Sequence, residues 1–431
     1  MSIYQRFIFR SYEFNPSKKS LHLYYGYDGI LDFTESYFFD FDFREYDPLV
    51  LDRACQLLFF MAGVSYYKAY LAPEIIVENG EINSELADFL SKTYQRGLGE
   101  FFYVNKIDPK TPINFPVNAT NLSAPKHHAS NELLIGVGGG KDSLVSIEAL
   151  RTEPGVATWS LGHRAQLTPL VKRIGLPHLW VERQWDRSLL EHNTKDAYNG
   201  HVPISAIFGC VGLIVAVISG KSDIVVSNEN SANEPTLQYQ GVDVNHQYSK
   251  SLEFEKDFQG ILKNIFDDDF RYYSFLRPLS EVHIAEIFAH SYFEKYKEVF
   301  SSCNRAFTHT SDHIFWCGEC TKCAFTFVAL SPFVSREKLE NLFNGKNLLL
   351  DPKLDESYRK LLGIEGSKPL DCVGDIKESR EAMHLSQLIY PELSKYNFDL
   401  PKTYNYRALS AHSMPKNLYW KLTKLVGEQH E

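Results

Sequence analysis

The stretch LLIGVGGGKDSLVSIEAL, residues 133–150, decides the fold of this chain. The apolar run Leu133–Val137 predicts a buried strand, and apolar residues spaced three or four apart over Ser143–Arg151 predict a helix. Three glycines and a polar Lys-Asp step separate the two elements. A buried strand that turns through glycines directly into a helix is typical of an α/β sheet.

Outward from this segment, strands and helices alternate along the chain. Because successive parallel strands need a crossover helix between them, this alternation predicts an α/β fold with a mostly parallel, Rossmann-like sheet. The predicted strands and helices are Val156–Leu161, the helix near Gln166–Ile174, the strand near His178–Val181, the apolar helix within Val202–Ser219 and the strand Asp223–Ser227.

The flanking segments carry different patterns. Residues 1–48 alternate in strand fashion around a Tyr-Asp-Gly turn, and residues 49–104 have helical periodicity. Residues 109–130 have the Pro, Asn and Ser content of a linker, and the chain beyond residue 333 is helical and polar. We therefore expect an N-terminal strand and helix domain at 1–125, the α/β domain at 126–332 and a C-terminal helical region at 333–431.

The composition argues against several classes of protein. Lys+Arg number 45 against 54 Asp+Glu, a formal net charge of −9, which argues against a surface for nucleic acid or an anionic membrane. The N-terminus lacks the pattern of a secretory signal, and Val202–Ser219 contains a proline and two glycines, which favours a buried helix over a membrane span. The 7 cysteines do not suggest a disulfide framework in so long a chain, so we expect a reduced, cytoplasmic protein.

The glycine-rich turn predicts a phosphate-binding loop. Glycines let backbone amides close on a phosphate, and the helix N-terminus adds partial positive charge. The lysine offers a point charge, the aspartate can hold Mg²⁺ or a ligand hydroxyl, and the serine can cap the helix or contact phosphate. The spacing matches neither the Walker nor the dinucleotide pattern, and a tight turn without ligand is the alternative. The predicted nucleotide-binding residues are Gly138, Gly139, Gly140, Lys141, Asp142 and Ser143.

A cysteine cluster predicts a metal site. Cys317, Cys320 and Cys323 form overlapping C-x₂-C turns, and Cys303 lies upstream of them. Four thiolates suit tetrahedral Zn²⁺, and a closed four-cysteine shell leaves no open coordination position, so we expect a structural zinc. Buried thiols without metal, a redox pair and an iron–sulfur cluster are the alternatives.

The sequence GGGKDS resembles the loop, usually S-G-G-x-D-S, of the PP-loop ATP pyrophosphatase superfamily. The resemblance implies an adenine-nucleotide α-hydrolase-like core that cleaves ATP between its α- and β-phosphates, transfers AMP to a substrate oxygen and releases diphosphate. Gly138 stands where the usual pattern has serine, a departure that removes one phosphate contact. The cysteine spacing is similar to that of superfamily members that convert a carboxylate to a nitrile in deazaguanine synthesis.

Several further blocks resemble a narrower family, the ATP-dependent UDP-N-acetylmuramoyl-L-alanyl-L-glutamate epimerases (MurL) of peptidoglycan synthesis. The resemblance runs from about residue 60 to about residue 385 and is loose at both ends. The blocks include AGVSYYKA (62–69), RGLGEF (96–101), NGHVP (199–203), SNENSA (227–232), VNHQYSK (244–250), RYYS (271–274), RPLS (277–280), FSSCNR (300–305) and DCVGDIKESREAM (371–383).

The family resemblance implies an activity. It implies inversion of the terminal L-Glu of the UDP-linked muramoyl dipeptide to D-Glu, with ATP consumed, AMP and diphosphate released, and Mg²⁺ as the cofactor. A ligase that adds L-Glu to the muramoyl peptide is then the functional partner, and neither nucleic acid nor membrane is expected. A tRNA-modifying enzyme, an ATP pyrophosphatase for another carboxylate and a regulatory nucleotide-binding protein are the competing interpretations.

Polar residues in these blocks are the candidate catalytic groups. Glu229 follows a predicted strand, where ligands enter an open α/β sheet, and Asp142 lies in the loop. His201 and His246 are candidate bases because imidazole titrates near neutrality. A structural or surface role is the alternative for each histidine.

The candidate substrate-binding residues are amides and cations. Asn228 and Asn230 flank Glu229 and can hold polar groups of a ligand. Cationic side chains can pair with phosphates or with glutamate carboxylates, and for each of them a solvated surface role is the alternative. The predicted cationic contacts are Lys250, Arg271 and Arg277.

Overall fold

The computed structural model describes residues 3–124, 130–193, 196–308, 311–400 and 404–427. The chain forms two compact units, each assembled from separate segments. The first unit comprises Met1–Leu134, Leu179–Ile224 and Gln238–Tyr273, and the second comprises Ile135–His178, Val225–Leu237 and Ser274–Glu431. The sequence predicts three domains that are each continuous along the chain, and this division stays a prediction. Its first boundary, between residues 125 and 126, lies outside the described residues.

Strands and helices alternate through the middle of the chain, and the prediction of a mixed α/β protein is confirmed. The strands are β1 (Arg6–Asn15), β2 (Ser20–Tyr27), β3 (Leu31–Asp40), β4 (Glu74–Val77), β5 (Leu133–Gly136), β6 (Ala157–Leu161), β7 (His178–Gln184), β8 (Asp223–Val226), β9 (Leu237–Tyr239), β10 (Val242–Val244) and β11 (Arg271–Ser274). The α-helices are α1 (Pro48–Ala62), α2 (Val64–Tyr67), α3 (Ser84–Gly97), α4 (Gly99–Asn105), α5 (Lys141–Leu150), α6 (Arg164–Ile174), α7 (Ser188–Asn193), α8 (Ile204–Ser219), α9 (Leu252–Phe266), α10 (Glu281–Ser291), α11 (Phe293–Tyr296), α12 (Thr321–Leu330), α13 (Arg336–Leu342), α14 (Asp355–Leu361), α15 (Ile376–Gln387) and α16 (Lys416–Gly427).

The first unit carries strands in the order β7-β3-β2-β1-β4. The β1–β2, β2–β3 and β3–β7 pairs are antiparallel, whereas β4 pairs parallel to β1. Tyrosine hydroxyls bridge this sheet to the following helices, because Tyr25 donates to the Phe59 carbonyl and Tyr27 to the Tyr66 carbonyl, at 2.8 and 2.9 Å. The aromatic side chains thus contribute buried area while their polar atoms stay satisfied.

Two apolar helices of the first unit, α1 and α8, pack against each other. The run Pro48–Tyr67 is long and apolar enough to cross a membrane by composition, but 83% of its apolar window is buried. The predicted apolar helix within Val202–Ser219 is α8, and its residues from Gly209 onward are buried. Burial of this kind is typical of core helices.

The second unit contains the predicted strand–glycine–helix segment. Strands in this unit follow the order β8-β5-β6, and helix α5 connects β5 to β6. Val137 donates to the carbonyl of the fully buried Trp159 at 2.9 Å, which continues the β5–β6 pairing up to the glycines. Helix α5 packs on α10, α10 on α12 and α12 on α15.

Most elements expected in the middle of the chain are confirmed to within a few residues, but two expectations need correction. Residues 49–104 are not helical throughout, because β4 interrupts them and pairs with β1. The chain beyond residue 333 is only partly helical, since short 3₁₀ turns and coil separate α13 to α16. Strand β4 depends on pairing with a distant part of the chain, which overrides local periodicity.

A buried ion pair in the first unit predicts a large effect on stability. Arg183 binds Glu35 through two hydrogen bonds, at 2.9 and 3.1 Å, and the glutamate has no exposed surface. Replacing Glu35 with Ala leaves a buried guanidinium without its carboxylate, so we expect the free energy of unfolding to fall by about 3–5 kcal/mol. Urea denaturation measures this change. Asp42→Ala, at an exposed pair with Lys19, is the control and should leave stability almost unchanged.

Candidate active site

The glycine-rich loop joins β5 to α5 without any intervening structure. Helix α5 begins at Lys141, and Gly140 occupies its N-cap position with no side chain capping it. The Ser143 hydroxyl donates to the Gly140 carbonyl at 3.1 Å, so it folds back over the first turn. The amide groups of a helix's first turn have no partner within the helix and carry the positive end of its dipole. The loop can therefore receive an anion.

The middle glycine of the loop is required by its surroundings. Gly139 has a φ of +90°, a conformation that L side chains rarely adopt. A Cβ atom there would lie 2.5 Å from the Phe307 ring and 3.2 Å from the Ser301 carbonyl oxygen. At Gly138, by contrast, a Cβ atom would meet nothing within 4 Å. The structure therefore leaves room for a small side chain such as serine at this position.

Lys141 is buried between two carboxylates. Its ammonium group contacts Asp142 Oδ1 at 2.6 Å and also Glu281 Oε2. Burial by itself lowers the pKa of Lys141, but the two carboxylates outweigh burial and hold that pKa above its ordinary value. Burial also raises the pKa of Glu281, where Lys141 opposes the rise and the carboxylates of Asp142 and Glu229 add to it. The lysine therefore stays charged.

The sequence pattern did not single out Glu281 or Glu378. Glu281 is the first residue of α10, after the Ser280 N-cap, and its amide donates to Glu378 Oε1 at 2.8 Å. Glu378 also belongs to the capping box of α15, in which its other carboxylate oxygen accepts from the Asp375 amide. The DCVGDIKESREAM block thus supplies a buried carboxylate next to the group that holds Lys141.

The segment after β8 places Glu229 and its two asparagine neighbours in the second unit. Glu229 is buried, and its main-chain carbonyl accepts a hydrogen bond from the fully buried Arg277 at 2.6 Å. The Asn228 carbonyl accepts from the Ser274 hydroxyl at 2.6 Å, and the Asn230 amide donates to the Leu279 carbonyl at 2.9 Å. Arg277 therefore holds the backbone on which Glu229 is presented.

The four cysteines of the predicted metal site converge. Cys303 Sγ lies 4.0 Å from Cys320 Sγ, and Cys323 Sγ lies 3.7 Å from Cys317 Sγ and 3.5 Å from Cys320 Sγ. A tetrahedral Zn²⁺ with bonds of about 2.3 Å separates its sulfurs by about 3.8 Å, so the donor set fits this ion. The turn is closed by Gly318 at a φ of +67° and by the Glu319 amide, which donates to Cys317 Sγ at 3.4 Å.

The cysteine cluster adjoins the glycine-rich loop through one short segment. The Ser301 amide donates to the Gly139 carbonyl at 3.0 Å, and the Ser301 hydroxyl accepts from the Cys303 amide at 3.0 Å. The Phe307 ring covers Gly139 from the same segment. A metal that holds Cys303 therefore also holds the residues that shape the loop.

Both predicted histidines lie in the first unit, next to a carboxylate that the sequence analysis missed. His201 and His246 have ring centroids 4.6 Å apart, and Glu100 Oε2 contacts His246 Nδ1 and lies 3.7 Å from His201 Nδ1. Burial, with His246 beside it, lowers the pKa of His201 to about 4. One ligand atom from each of the three residues lies within 4.8 Å of the others, so the group can share a proton or hold a cation. Glu100 lies in the RGLGEF block, the only signal that pointed to it.

The remaining predicted cationic contacts also lie in the first unit. Arg271 donates to Asp223 Oδ1 at 2.6 Å and to Asn131 Oδ1 at 3.1 Å, and the Tyr273 hydroxyl donates to the other Asp223 oxygen. Its guanidinium group is therefore already bound to the carboxylate of Asp223, the first residue of β8. Lys250 ends a 3₁₀ turn and donates to Gln247 Oε1 at 3.4 Å.

The fold and the second unit's site define a mixed α/β protein with a glycine-rich loop that can receive an anion and a four-cysteine cluster suited to zinc. Comparison with known families places the chain more narrowly. A family model described as the MurL N-terminal domain matches residues 1–275, and one described as the MurL C-terminal domain matches residues 299–391. The chain belongs to the MurL family.

Curated relatives agree with this assignment. A protein of Xanthomonas oryzae pv. oryzae is 41% identical over 339 residues, which cover 77% of this chain and 74% of the relative. Proteins of Micromonospora and Salinispora tropica are 36% and 37% identical, over 78% of this chain and 75% and 73% of their own lengths. All three are named UDP-N-acetyl-alpha-D-muramoyl-L-alanyl-L-glutamate epimerase.

The loop geometry predicts a sharp difference between two adjacent glycines. Gly139→Ala forces a side chain into a left-handed conformation against the Phe307 ring, so we expect the free energy of unfolding to fall by about 1–3 kcal/mol. Gly138→Ala, with open space at its Cβ position, is the matched control and should change it by less than about 0.5 kcal/mol. Chemical denaturation of both variants measures the difference; equal losses would contradict the assigned close approach.

The cysteine geometry predicts the metal content. Elemental analysis of purified protein should find about one zinc per chain. Cys320→Ser should lower both the zinc content and the thermal midpoint, because it removes one of four sulfurs, whereas Cys372→Ser, outside the cluster, should retain the metal. Iron in place of zinc, or no metal in the wild-type protein, would refute the assignment.

Proposed function

We propose that this protein is a cytoplasmic, ATP-dependent epimerase that inverts the terminal L-Glu of UDP-N-acetylmuramoyl-L-alanyl-L-glutamate to D-Glu in peptidoglycan synthesis. The observation that carries the proposal is the contact of buried Lys141 with half-buried Asp142 at the N-terminus of α5, beside the Gly139 turn, in a chain of the MurL family. Relatives named for this epimerisation support the substrate and the reaction.

The need for ATP follows from the chemistry of the substrate. A glutamate Cα–H beside an ionised carboxylate is a very weak acid, because deprotonation places a carbanion next to an existing anion. Joining that carboxylate to AMP removes its charge and makes an activated acyl group. The Cα proton then comes within reach of an ordinary side-chain base.

The proposed reaction begins with formation of the acyl-adenylate and ends with its hydrolysis. A carboxylate oxygen attacks the α-phosphorus of ATP, the bond between the α-phosphorus and the bridging oxygen breaks, and diphosphate leaves. A base removes the Cα proton, a proton returns to the opposite face, and water then cleaves the acyl–phosphate bond to release AMP. Formation of an oxazolone from the acyl-adenylate would acidify the same proton equally well.

The loop is the proposed nucleotide site. The amides following Gly138, Gly139 and Gly140 and the ammonium of Lys141 would bind phosphate oxygens, with Ser143 beside them. Asp142 would bind Mg²⁺, whose chemistry is to neutralise phosphate charge. The side-chain-free N-cap at Gly140 leaves the first amides of α5 without a side-chain partner, which supports a phosphate site there.

Several groups remain proposed for proton transfer and substrate binding. Glu229 and the pair His201 and His246 are the proposed bases; Glu100 would orient the imidazoles through its contacts with both. Asn228, Asn230 and Lys250 are the proposed substrate contacts. The observed partners of the two arginines support positioning roles instead, with Arg277 on the Glu229 backbone and Arg271 on Asp223.

The decisive measurement is diphosphate release from ATP. Wild-type protein should release diphosphate only when the muramoyl dipeptide is present, and Asp142→Asn should lower this rate at least about 100-fold by removing the metal-binding carboxylate. Asp312→Asn, at an exposed aspartate of the same unit, is the control and should keep the full rate. Release that depends on tRNA or on another carboxylate would favour a competing function.

The same reaction in deuterated water tests the proton step. Epimerised product should carry solvent deuterium at Cα, because the base exchanges its proton with solvent before returning it. Product without deuterium would rule out this exchange even where diphosphate is released.

A further inference from the structure

Lys68 is a buried cation that contacts an amide and an aromatic ring. It follows α2, is only 5% exposed, and donates from Nζ to Asn199 Oδ1 at 3.3 Å. Its ammonium group also lies 5.9 Å from the centroid of the Phe101 ring. Across the ranges that the structure describes, no carboxylate lies within ion-pair distance of this ammonium. An unpaired charge in such a place costs free energy of folding unless a ligand supplies the opposite charge.

The surroundings of Lys68 carry further positive charge. Its amide partner Asn199 is exposed and lies two residues before His201. The positive charges of Lys250 and Lys68 both act on His201, whereas Glu100 is the carboxylate that opposes them. This group, which we call the basic cluster, consists of Lys68, Lys250, His201 and His246 with Glu100, and it lies wholly within the first unit.

The electrostatics favour an anion over a cation in the basic cluster. Glu100 and the two imidazoles have the spacing of a metal site. The ammonium groups of Lys68 and Lys250, which both act on His201, make the local electrostatic potential more positive. A more positive potential opposes a divalent cation and attracts a negative group. Burial strengthens this attraction, because charges interact more strongly away from water. Burial also lowers the pKa of Lys68 to about 8, so the lysine is still mostly protonated at neutral pH.

We propose that Lys68 and Lys250 bind an anionic group of the substrate in the first unit, with Asn199 orienting the Lys68 ammonium. The proposal rests on the proposed function for the identity of that substrate. A UDP-linked muramoyl dipeptide offers two anionic groups of suitable chemistry, the diphosphate and the glutamate carboxylates. Lys68 was not singled out from the sequence, although it lies in the AGVSYYKA block.

The test measures the binding of two probes by calorimetry, without ATP. UDP-N-acetylmuramate carries the diphosphate without the dipeptide, and free L-alanyl-L-glutamate carries the carboxylates without the nucleotide. Lys68→Met should lower the affinity for one of the probes, the one whose anionic group the lysine binds, at least about tenfold. Lys68→Arg should restore part of that affinity. Lys250→Met should lower the affinity for the same probe. Lys256→Met, at an exposed lysine of the same unit, is the control and should bind both probes normally.

Thermal unfolding separates binding from a structural role. Because Lys68→Met removes a buried unpaired charge, its unfolding midpoint should equal or exceed that of the wild-type protein. A lower midpoint together with unchanged probe affinity would show that the lysine only supports the fold and would overturn the proposal.

The outcomes also distinguish this proposal from the proposed function. Loss of affinity for UDP-N-acetylmuramate alone identifies the diphosphate, and loss for the dipeptide alone identifies a carboxylate. Unchanged affinity in both lysine variants, or a wild-type protein that binds neither probe, overturns the anion site. If the probes bind as expected but the muramoyl dipeptide elicits no diphosphate release from ATP, the epimerase proposal fails and the anion site stands.

Discussion

The hydrogen bond from the Ser301 amide to the Gly139 carbonyl is the contact on which the second unit's site depends. A glycine-rich turn has few conformational constraints of its own, so its shape must be set by a neighbour. Here that neighbour is the segment from Ser301 to Phe307, which also carries Cys303. Metal binding by the cysteines would therefore reduce the conformational freedom of the loop as well as that of its own ligands.

The carboxylates around Lys141 also limit which ligands the second unit's site can bind. The ammonium group is held by Asp142 and Glu281. Burial raises the pKa of Glu281 and of Glu378; the nearby Glu229 adds to the rise at Glu281, and Glu281 adds to the rise at Glu378. A phosphate that enters such a site meets one cation and several acidic groups. A divalent cation on Asp142 would offset that repulsion, so the acidic surroundings of the lysine are consistent with a nucleotide that binds together with Mg²⁺.

The sequence predicts what local chemistry determines. The strand, the glycines and the helix of residues 133–150 follow one another directly, and three of the four cysteines lie between positions 317 and 323, so both features could be predicted. The sequence does not predict β4, a four-residue strand that depends on pairing with β1, or Glu281, which lies 140 residues from Lys141. Glu100 and its histidines are separated in the same way, by 146 residues between Glu100 and His246. Contacts between residues so far apart in the chain produce no local periodicity, so they cannot be predicted from the sequence pattern.

Two of the buried lysines, Lys68 and Lys141, show why burial alone does not define a role. Lys141 is charge-balanced by its own neighbours, so the fold can hold it without a ligand, and a phosphate must compete with carboxylates already in place. The ammonium of Lys68 contacts an amide and an aromatic ring, and within the described residues no carboxylate pairs with it, so its charge is available to an entering anion. With a formal net charge of −9, the chain as a whole repels anionic substrates at long range. Short-range cations that are partly shielded from water therefore have to supply the attraction, and an unpaired buried ammonium supplies more of it than a lysine already held by two carboxylates.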